Sequence, residues 1–329
     1  MSKKVLFAEF PEKLPIFTTV VEEYLPEGFE VINWNDIKGG NISEALADVE
    51  YFLILGQRIT REMMDAAPRL RLIQRTGQGY DNVDIAAAAE KGIPVAIMPT
   101  GNAVAVAEHA ILLPLALYRH LREMDSDMRA GKWPGLEYRE SSYEMEGKVH
   151  GFLGFGNIGR LAARRSKAFG TKIIYHDVVA AAPEVEAELG ATRVSLEELL
   201  QQSDILSIHM PLLPSTRGMI GAEQFKLMKK SALLINTARG PIVDEEALCD
   251  ALENGTIAGA GLDTFSSDPV APDARIRRMP NILMTPHVAG GTGDTFRKQA
   301  KGAIDQIIAV ENGEDPKFVV NGVKTAPKF

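Results

Sequence analysis

The 329-residue sequence contains one cysteine, Cys249, and that scarcity excludes a disulfide scaffold. Cys249 lies in the helical pattern EEALCDALENG, where a lone thiol is expected to be a buried structural group rather than a nucleophile. No window reaches the ~18 uninterrupted apolar residues of a membrane span, so none is expected. The opening MSKKVLFAEF has two lysines but only a short apolar run interrupted by Glu9, which does not read as a signal peptide. There is no basic block: 36 Lys and Arg stand against 44 Asp and Glu, a net charge of −8, so nucleic acid is not an expected partner. Internal repeats and low-complexity segments are absent as well. The cytosol is the expected location. A small anion, met by a few local arginines, is an admissible ligand.

What is present is the composition of a soluble globular protein, 45% hydrophobic and 24% charged, with length enough for two domains. Short apolar strands alternate with helical segments, which predicts an α/β protein with parallel sheets covered by helices. KKVLFAEF, FEVINW, EYFLILG, RLRLIQRTG and IPVAIMP read as strands of a first unit that carries no phosphate-binding loop. Between them lie helical stretches, including SEALADV and DIAAAAEK, the latter capped by Gly92. The segment from Asn102 to about Ala130 reads as a long apolar helix that Pro114 should kink or split. Such a helix is too apolar for a free surface, so it is expected to cross between domains and to admit a partner subunit.

A second series starts at Lys148 with KVHGFLGFGNIGRLAARRSKAFGTKIIYHD. VSLEELL follows with the capping box Ser195 and Glu198, then the strands DILSIHM, SALLINT and IAGAGLD. Near the end, TFRKQAKGAIDQIIAVENG places Phe296, Ala300, Ile304 and Ile307 on one helical face. Because the nucleotide-type unit sits in the middle, the first and last segments are expected to form one split domain. The expected division is residues 1–103 with 289–329 around a central 104–288.

GFGNIG, from Gly154 to Gly159, fits G-x-G-x-x-G in the required context, after the apolar run VHGFL and opening an amphipathic helix. Gly154 permits the tight turn, Gly156 the approach of a pyrophosphate, and Gly159 close helix–strand packing, with free amides at the helix N-terminus. The next strand, TKIIYHD, ends in Asp177, 18 residues after Gly159. A carboxylate there accepts from a ribose 2′-hydroxyl and repels a 2′-phosphate. Val178 and Val179 follow it rather than an arginine, which favours NAD over NADP.

Three further polar groups sit at strand ends. Taken alone, Arg239 in INTARG is a surface charge or an anion clamp, and His287 in TPH is a structural or a catalytic histidine. Asp268 in GLDTFSSDPV is a turn residue before proline or a histidine's partner. Reduction of a 2-oxo acid by hydride needs all three types: a cation for the carboxylate, a proton donor for the carbonyl, and an acid to orient that donor.

TGQGYDNVD, EKGIPV, VAEHAI, GFGNIG, HMPLLPSTRGMI, INTARGPIVDEEAL and TPHVAG occur in this order over nearly the full length. With them the chain resembles the D-isomer-specific 2-hydroxyacid dehydrogenase family, which includes D-3-phosphoglycerate, glyoxylate/hydroxypyruvate and D-lactate dehydrogenases. The resemblance implies two Rossmann-like or flavodoxin-like domains, a discontinuous substrate domain around a central NAD-binding one, and a homodimer built through the region 102–130. It implies that Arg239 binds substrate, that His287 is the acid/base, and that the backbone of Thr76, Gly77, Gln78 and Gly79 meets the substrate carboxylate. Asn157, Ile158, Asp177, Thr237, Asp263 and Gly290 match positions lining NAD, and Arg58 aligns with an anion-contacting position. Arg58 and Arg75 are contacts for an anionic or phosphorylated substrate tail, or else surface or salt-bridged groups.

Asp268 departs from the family pattern, which has Glu-Pro where this chain has Asp268-Pro269. Aspartate is one methylene shorter, so the backbone must come about 1.5 Å closer or the bond to His287 must lengthen. A carboxylate beside His287 favours the imidazolium. The leading expectation is an NAD-dependent D-2-hydroxyacid dehydrogenase without a metal. A phosphite- or formate-type small-anion dehydrogenase on the same fold is a second reading, although formate enzymes carry an amide beside the histidine. A NAD-sensing binding protein akin to the corepressors of this fold is a third.

Overall fold

The computed structural model describes residues 2–8, 15–77, 79–98 and 101–328. They form two compact units, Met1–Asn102 with Thr292–Phe329, and Ala103–Gly291.

The first unit is built on five strands: β1 (Lys3–Ala8), β2 (Phe29–Asn33), β3 (Val49–Ile54), β4 (Leu72–Arg75) and β5 (Val95–Ala96). Their order is β2-β1-β3-β4-β5, and every pairing between them is parallel. Alternation divides each strand between two cores. Leu6, Phe52, Ile54 and Ile73 join one cluster, while Val5, Phe7, Tyr51, Leu53 and Leu72 join the other. Both faces are covered, which is why these strands read as continuous apolar runs. β5 is only two residues long because the C-terminal tail takes over its edge: Val320 N donates to the Val95 carbonyl and Ile97 N to that of Phe318.

Helix Gly293–Glu311 packs on the second face with Phe296, Ala300, Ile304 and Ile307 buried, as the spacing predicts. Its end is tied by charge. Glu311 accepts from the Tyr51 hydroxyl (2.6 Å) and pairs with Lys3 (3.0 Å) and Arg71, and Arg71 also donates to the carbonyls of Val310 and Pro327. This network holds the returning chain end against the start of the sheet.

The second unit contains β6 (Val149–Leu153), β7 (Lys172–His176), β8 (Ala191–Arg193), β9 (Ile205–Ile208), β10 (Leu233–Asn236), β11 (Gly259–Leu262) and β12 (Ile282–Met284). The order β12-β11-β10-β9-β6-β7-β8 is doubly wound and parallel. The order in which successive strands are added reverses between β6 and β9, so the carboxyl ends of these strands open a ligand crevice.

Pro114 does not split the long helix. Helix Ala103–Tyr118 runs through it, and the chain breaks at Arg119–His120 before a second helix, Leu121–Arg129, bent by 61°. One missing amide is outweighed by burial of Ala107, Ala110, Ile111, Leu113 and Pro114 itself, whereas His120 takes a left-handed conformation (φ 47°) that no helix continues. Among the described residues no single helix is long and apolar enough to cross a membrane. Cys249 is fully buried, and burial pushes its thiol up to about 11, as expected of an inert structural group.

His150, the second residue of β6, is fully buried between two hydroxyls, Ser166 Oγ on Nδ1 (2.7 Å) and Ser207 Oγ on Nε2 (2.8 Å). Burial pushes its pKa down to about 3, so the folded protein holds it neutral. The unfolded chain binds its proton near pH 6.5, so stability contributed by this group is present above that pH and is lost as pH falls from about 6.5 toward 3. His150→Gln is expected to lower stability at pH 7.5 by about 1–3 kcal/mol. The same variant should show a shallower loss of stability between pH 7.5 and 5. Denaturant titrations at the two pH values check this, and equal losses in both proteins would refute it.

Candidate active site

The dinucleotide turn joins β6 to helix Asn157–Ala168. Its three glycines answer three different constraints. Gly154 has φ +93°, and a methyl group there would sit 2.7 Å from the His209 backbone. A methyl at Gly159 would lie 2.5 Å from the Gly154 carbonyl oxygen. Nothing lies within 4 Å of one at Gly156, so the side of the turn is open there, as the approach of a phosphate requires. Asn157 and Ile158 form the first turn of the helix.

Asp177 follows β7 and braces the turn, accepting from Phe155 N on Oδ2 (2.7 Å) and from Val179 N on Oδ1 (3.1 Å). A carboxylate has about four acceptor positions, so two remain for a ribose diol. The sheet brings a neighbour that sequence proximity did not reveal: Arg193 of β8 donates to the carbonyls of Asp177 (2.8 Å) and Val178 (3.3 Å).

Three buried polar atoms without a hydrogen-bond partner stand at successive strand ends: His209 Nε2 after β9, Thr237 Oγ1 after β10 and Thr264 Oγ1 after β11. Buried polar atoms ordinarily find partners, so such a row fits a polar ligand that completes them. Burial pushes His209 down to about 4, which keeps its ring neutral. Together with the open Gly156 and the half-engaged Asp177, these atoms fit a bound dinucleotide. His209 and Thr264 were not singled out from sequence; their signal was position at a strand's carboxyl end.

Arg239, Asp268 and His287 follow β10, β11 and β12, three neighbours in the sheet. The Arg239 loop is shaped by Asn236, whose side chain accepts from Ala238 N and donates to the Arg239 carbonyl, both at 3.0 Å. Any side chain at Gly240 would collide with the backbone of Phe265, so this loop and GLDTFSSDPV pack directly together. Ser266 N donates to Glu245 (2.9 Å) and anchors that stretch to helix Glu245–Glu253.

His287 Nδ1 lies 2.7 Å from Asp268 Oδ2, and both side chains are partly open to solvent. The shorter acid thus reaches the ring at an ordinary hydrogen-bond distance. His287 has φ 55°, an uncommon conformation for a residue with a side chain. It is held there by Asp263, 1% exposed, whose carboxylate accepts from the Thr285 hydroxyl (2.6 Å), Val288 N (2.9 Å) and Ala289 N (2.8 Å). His109 Nε2 in turn contacts Thr285 Oγ1 at 2.9 Å. Gly290 follows in the same segment.

In the first unit, Thr76 is buried, and both its amide and its hydroxyl donate to the Ile54 carbonyl (2.9 and 3.1 Å). Met98 N donates to the Gly77 carbonyl. Gln78 lies outside the described residues. Arg75 is not directed at a substrate tail: it donates to the carbonyls of Gly79 (2.7 Å) and Leu55 (2.6 Å) and shapes the turn. Arg58 is exposed, at the rim of an open cavity of about 370 Å³ lined also by Asp81 and Asn82. No cluster of metal-ligating side chains is present among the described residues.

Comparison with known proteins places this arrangement in a class. Residues 111–289 match the family described as D-isomer specific 2-hydroxyacid dehydrogenase, NAD binding domain. Glyoxylate reductase of Korarchaeum cryptofilum is 37% identical over 303 residues, 90% of this chain and 91% of that protein. Glyoxylate reductase of Aeropyrum pernix is 38% identical over 322 residues, 95% and 93% of the two chains. Among solved structures, the NADPH-dependent glyoxylate/hydroxypyruvate reductase of Sinorhizobium meliloti, in complex with NADP and malonate, superposes with a TM-score of 0.84 at 30% identity and full coverage of both chains. A formate dehydrogenase from Granulicella superposes at 0.87 with 26% identity, covering 99% of this chain and 100% of that one. The chain belongs to the D-isomer specific 2-hydroxyacid dehydrogenase family. It is accordingly an oxidoreductase that uses NAD, and its substrate is a small anionic oxo or hydroxy acid.

If the Asp177 carboxylate accepts from the ribose hydroxyls, exchanging it for serine weakens that contact. The Asp177→Ser variant is expected to bind NADH about 10- to 100-fold more weakly, the worth of one or two charge-assisted hydrogen bonds. NADPH binding should gain relative to it, with Arg193 at hand. Fluorescence titrations with both cofactors test this, and unchanged affinities would refute the role.

Proposed function

We propose that this enzyme reduces a short 2-oxo acid of the glyoxylate or hydroxypyruvate type to the D-2-hydroxy acid, with His287 as acid/base and Arg239 as carboxylate clamp. The observation that carries the reading is the 2.7 Å contact between His287 Nδ1 and Asp268 Oδ2. A carboxylate only accepts, so Nδ1 carries the proton in that bond and Nε2 is left to serve the substrate. When bound, NADH supplies the hydride that adds to the carbonyl carbon. His287 Nε2 gives its proton to the carbonyl oxygen, and the Asp268 carboxylate orients the ring and stabilises its charge before that transfer. Arg239 offers a planar fork that matches a carboxylate. In the first unit the backbone of Thr76–Gly79 meets the substrate carboxylate, and Arg58 is a second anion contact. The names of the relatives support the substrate class, and the acid at position 268, rather than an amide, speaks against formate as donor.

His287→Ala is expected to lower kcat/KM for glyoxylate about 10²- to 10⁴-fold, and Asp268→Asn at least ~10-fold, whereas Asp268→Glu retains activity. NADH oxidation assays with glyoxylate, hydroxypyruvate and pyruvate check all three. Wild-type turnover by the alanine variant on every accepted substrate would sink the assignment.

The enzyme acts as a cytosolic homodimer in this reading. Its support is a concentration of exposed apolar side chains in one segment: Leu112, Leu121, Met128, Trp133, Leu136 and Tyr143. Trp133 is 81% exposed and Leu136 69%. The double variant Trp133→Glu/Leu136→Glu is expected to sediment as a monomer where the native protein sediments as a dimer. A native monomer at micromolar concentration would overturn this.

A further inference from the structure

Apart from its terminal Tyr118, helix Ala103–Tyr118 carries two polar side chains, Glu108 and His109. Glu108 faces outward and pairs with Arg165 (2.9 Å). His109 faces inward, its side chain 15% exposed, among positions that are otherwise alanine, valine, isoleucine and leucine. An imidazole placed there needs a polar partner inside the unit.

Gly261 decides where the helix delivers it. A methyl group there would lie 2.9 Å from Leu113 Cβ, so the missing side chain in β11 lets the helix settle directly on the sheet. His109 stands one turn before Leu113 and reaches past Gly261 to the strand ends, where Asp263 follows β11 and Thr285 follows β12. Proton counting then fixes the direction of the bonds. The Asp263 carboxylate only accepts, and Thr285 has one hydroxyl proton, which it gives to Asp263 Oδ1 (2.6 Å). The 2.9 Å contact between Thr285 Oγ1 and His109 Nε2 is therefore donated by the ring. The ring itself is 3.9 Å from Asp263 Oδ1, beyond hydrogen-bond reach, so it acts through the hydroxyl. Hydrogen bonds in such a chain polarise one another, and the ring's donation strengthens the hold of Thr285 on Asp263. The Thr285 carbonyl also accepts from His287 N (3.0 Å), and its amide donates to the Leu262 carbonyl (2.9 Å). Side chain and backbone of one threonine thus tie down the segment that keeps His287 at φ 55°.

We propose that His109 is a positioning residue for His287: its Nε2–H, donated to Thr285 Oγ1, stiffens the Thr285–Asp263 bracket that sets the His287 imidazole in place. This rests on the reading of His287 as the acid/base. In this role His109 governs the chemical step rather than substrate affinity, which belongs to Arg239 and the first unit.

The test uses the full chain and two readouts. The first is the single-turnover rate of NADH oxidation at saturating glyoxylate. His109→Leu is expected to lower that rate about 10-fold, with KM for glyoxylate within about threefold. His109→Gln carries an amide nitrogen as many bonds from the backbone as Nε2 and is expected to recover most of the rate. Thr285→Val is expected to lower the rate at least as far, and adding His109→Leu to it to cost less than about twofold more, because the two act in series. The second readout is the nitrogen NMR spectrum of isotope-labelled histidine rings in the NADH complex. The His287 signals, assigned by their loss in His287→Ala, are expected to shift or broaden in His109→Leu and to return in His109→Gln. If His109→Leu does not fold, His109→Asn takes its place, since its shorter amide does not span to Thr285. A native rate in the donorless variant overturns the inference, as does a loss that His109→Gln leaves unrecovered. A lowered melting temperature with native rate and native His287 signals would identify a structural prop and overturn it equally. Full turnover by His287→Ala, with His287 signals that still follow the residue at position 109, would sink the acid/base reading while the positioning stands.

Discussion

Three donors converge on the buried carboxylate of Asp263: the Thr285 hydroxyl and the amides of Val288 and Ala289. They bracket His287 on both sides along the chain and hold it in a left-handed backbone conformation that a residue with a side chain rarely keeps unaided. Five residues beyond Asp263, Asp268 reaches the ring itself. One loop after β11 therefore supplies both the anchor of the histidine's backbone and the partner of its imidazole. The same loop is braced from beneath by Gly240 and Glu245, so the Arg239 turn shares its support. A carboxylate that is 1% exposed and engaged by three donors makes a rigid bracket, because losing any donor would leave a buried charge undersatisfied. Asp263 retains one acceptor position on Oδ2, so holding the loop and lining a cofactor are compatible duties.

On the other side of the sheet's switch point, rigidity is achieved with almost no side chains. Gly154 and Gly159 allow backbone to touch backbone, and Asp177 fixes the turn between them through the Phe155 amide. His209, Thr237 and Thr264 then present polar atoms that the protein does not satisfy itself. Two opposite rules operate at these strand ends. Asp263 engages three donors to hold the histidine segment in place, while His209, Thr237 and Thr264 leave polar atoms unsatisfied, as a ligand site would.

Much of this was legible along the chain. The strands, the glycine turn, the capping box and the buried face of the last helix follow local periodicity and turn chemistry, and the seven motifs identified the family. Where reading failed, a nonlocal interaction was responsible. Pro114 was expected to kink or split the helix; the helix is not split there, because burial of the surrounding Ala and Leu residues outweighs one missing amide. Arg75 was left open between an anion contact and a surface or salt-bridged group; it donates instead to the carbonyls of Leu55 and Gly79. Arg193 lies 16 residues from Asp177 and escaped notice, because only the pairing of β7 with β8 brings it there.

Asp268 shows the boundary most clearly. Sequence by itself determined its chemical type, its place after a strand and before a proline, and the presence of one histidine and one arginine at neighbouring strand ends. It left open whether a chain one methylene short could reach the ring. The tertiary structure decided that, because the distance between two loops depends on how β11 and β12 pair and on what Asp263 and Gly240 allow to approach. Residue identity is written locally, but a 2.7 Å contact across 19 residues is a property of packing.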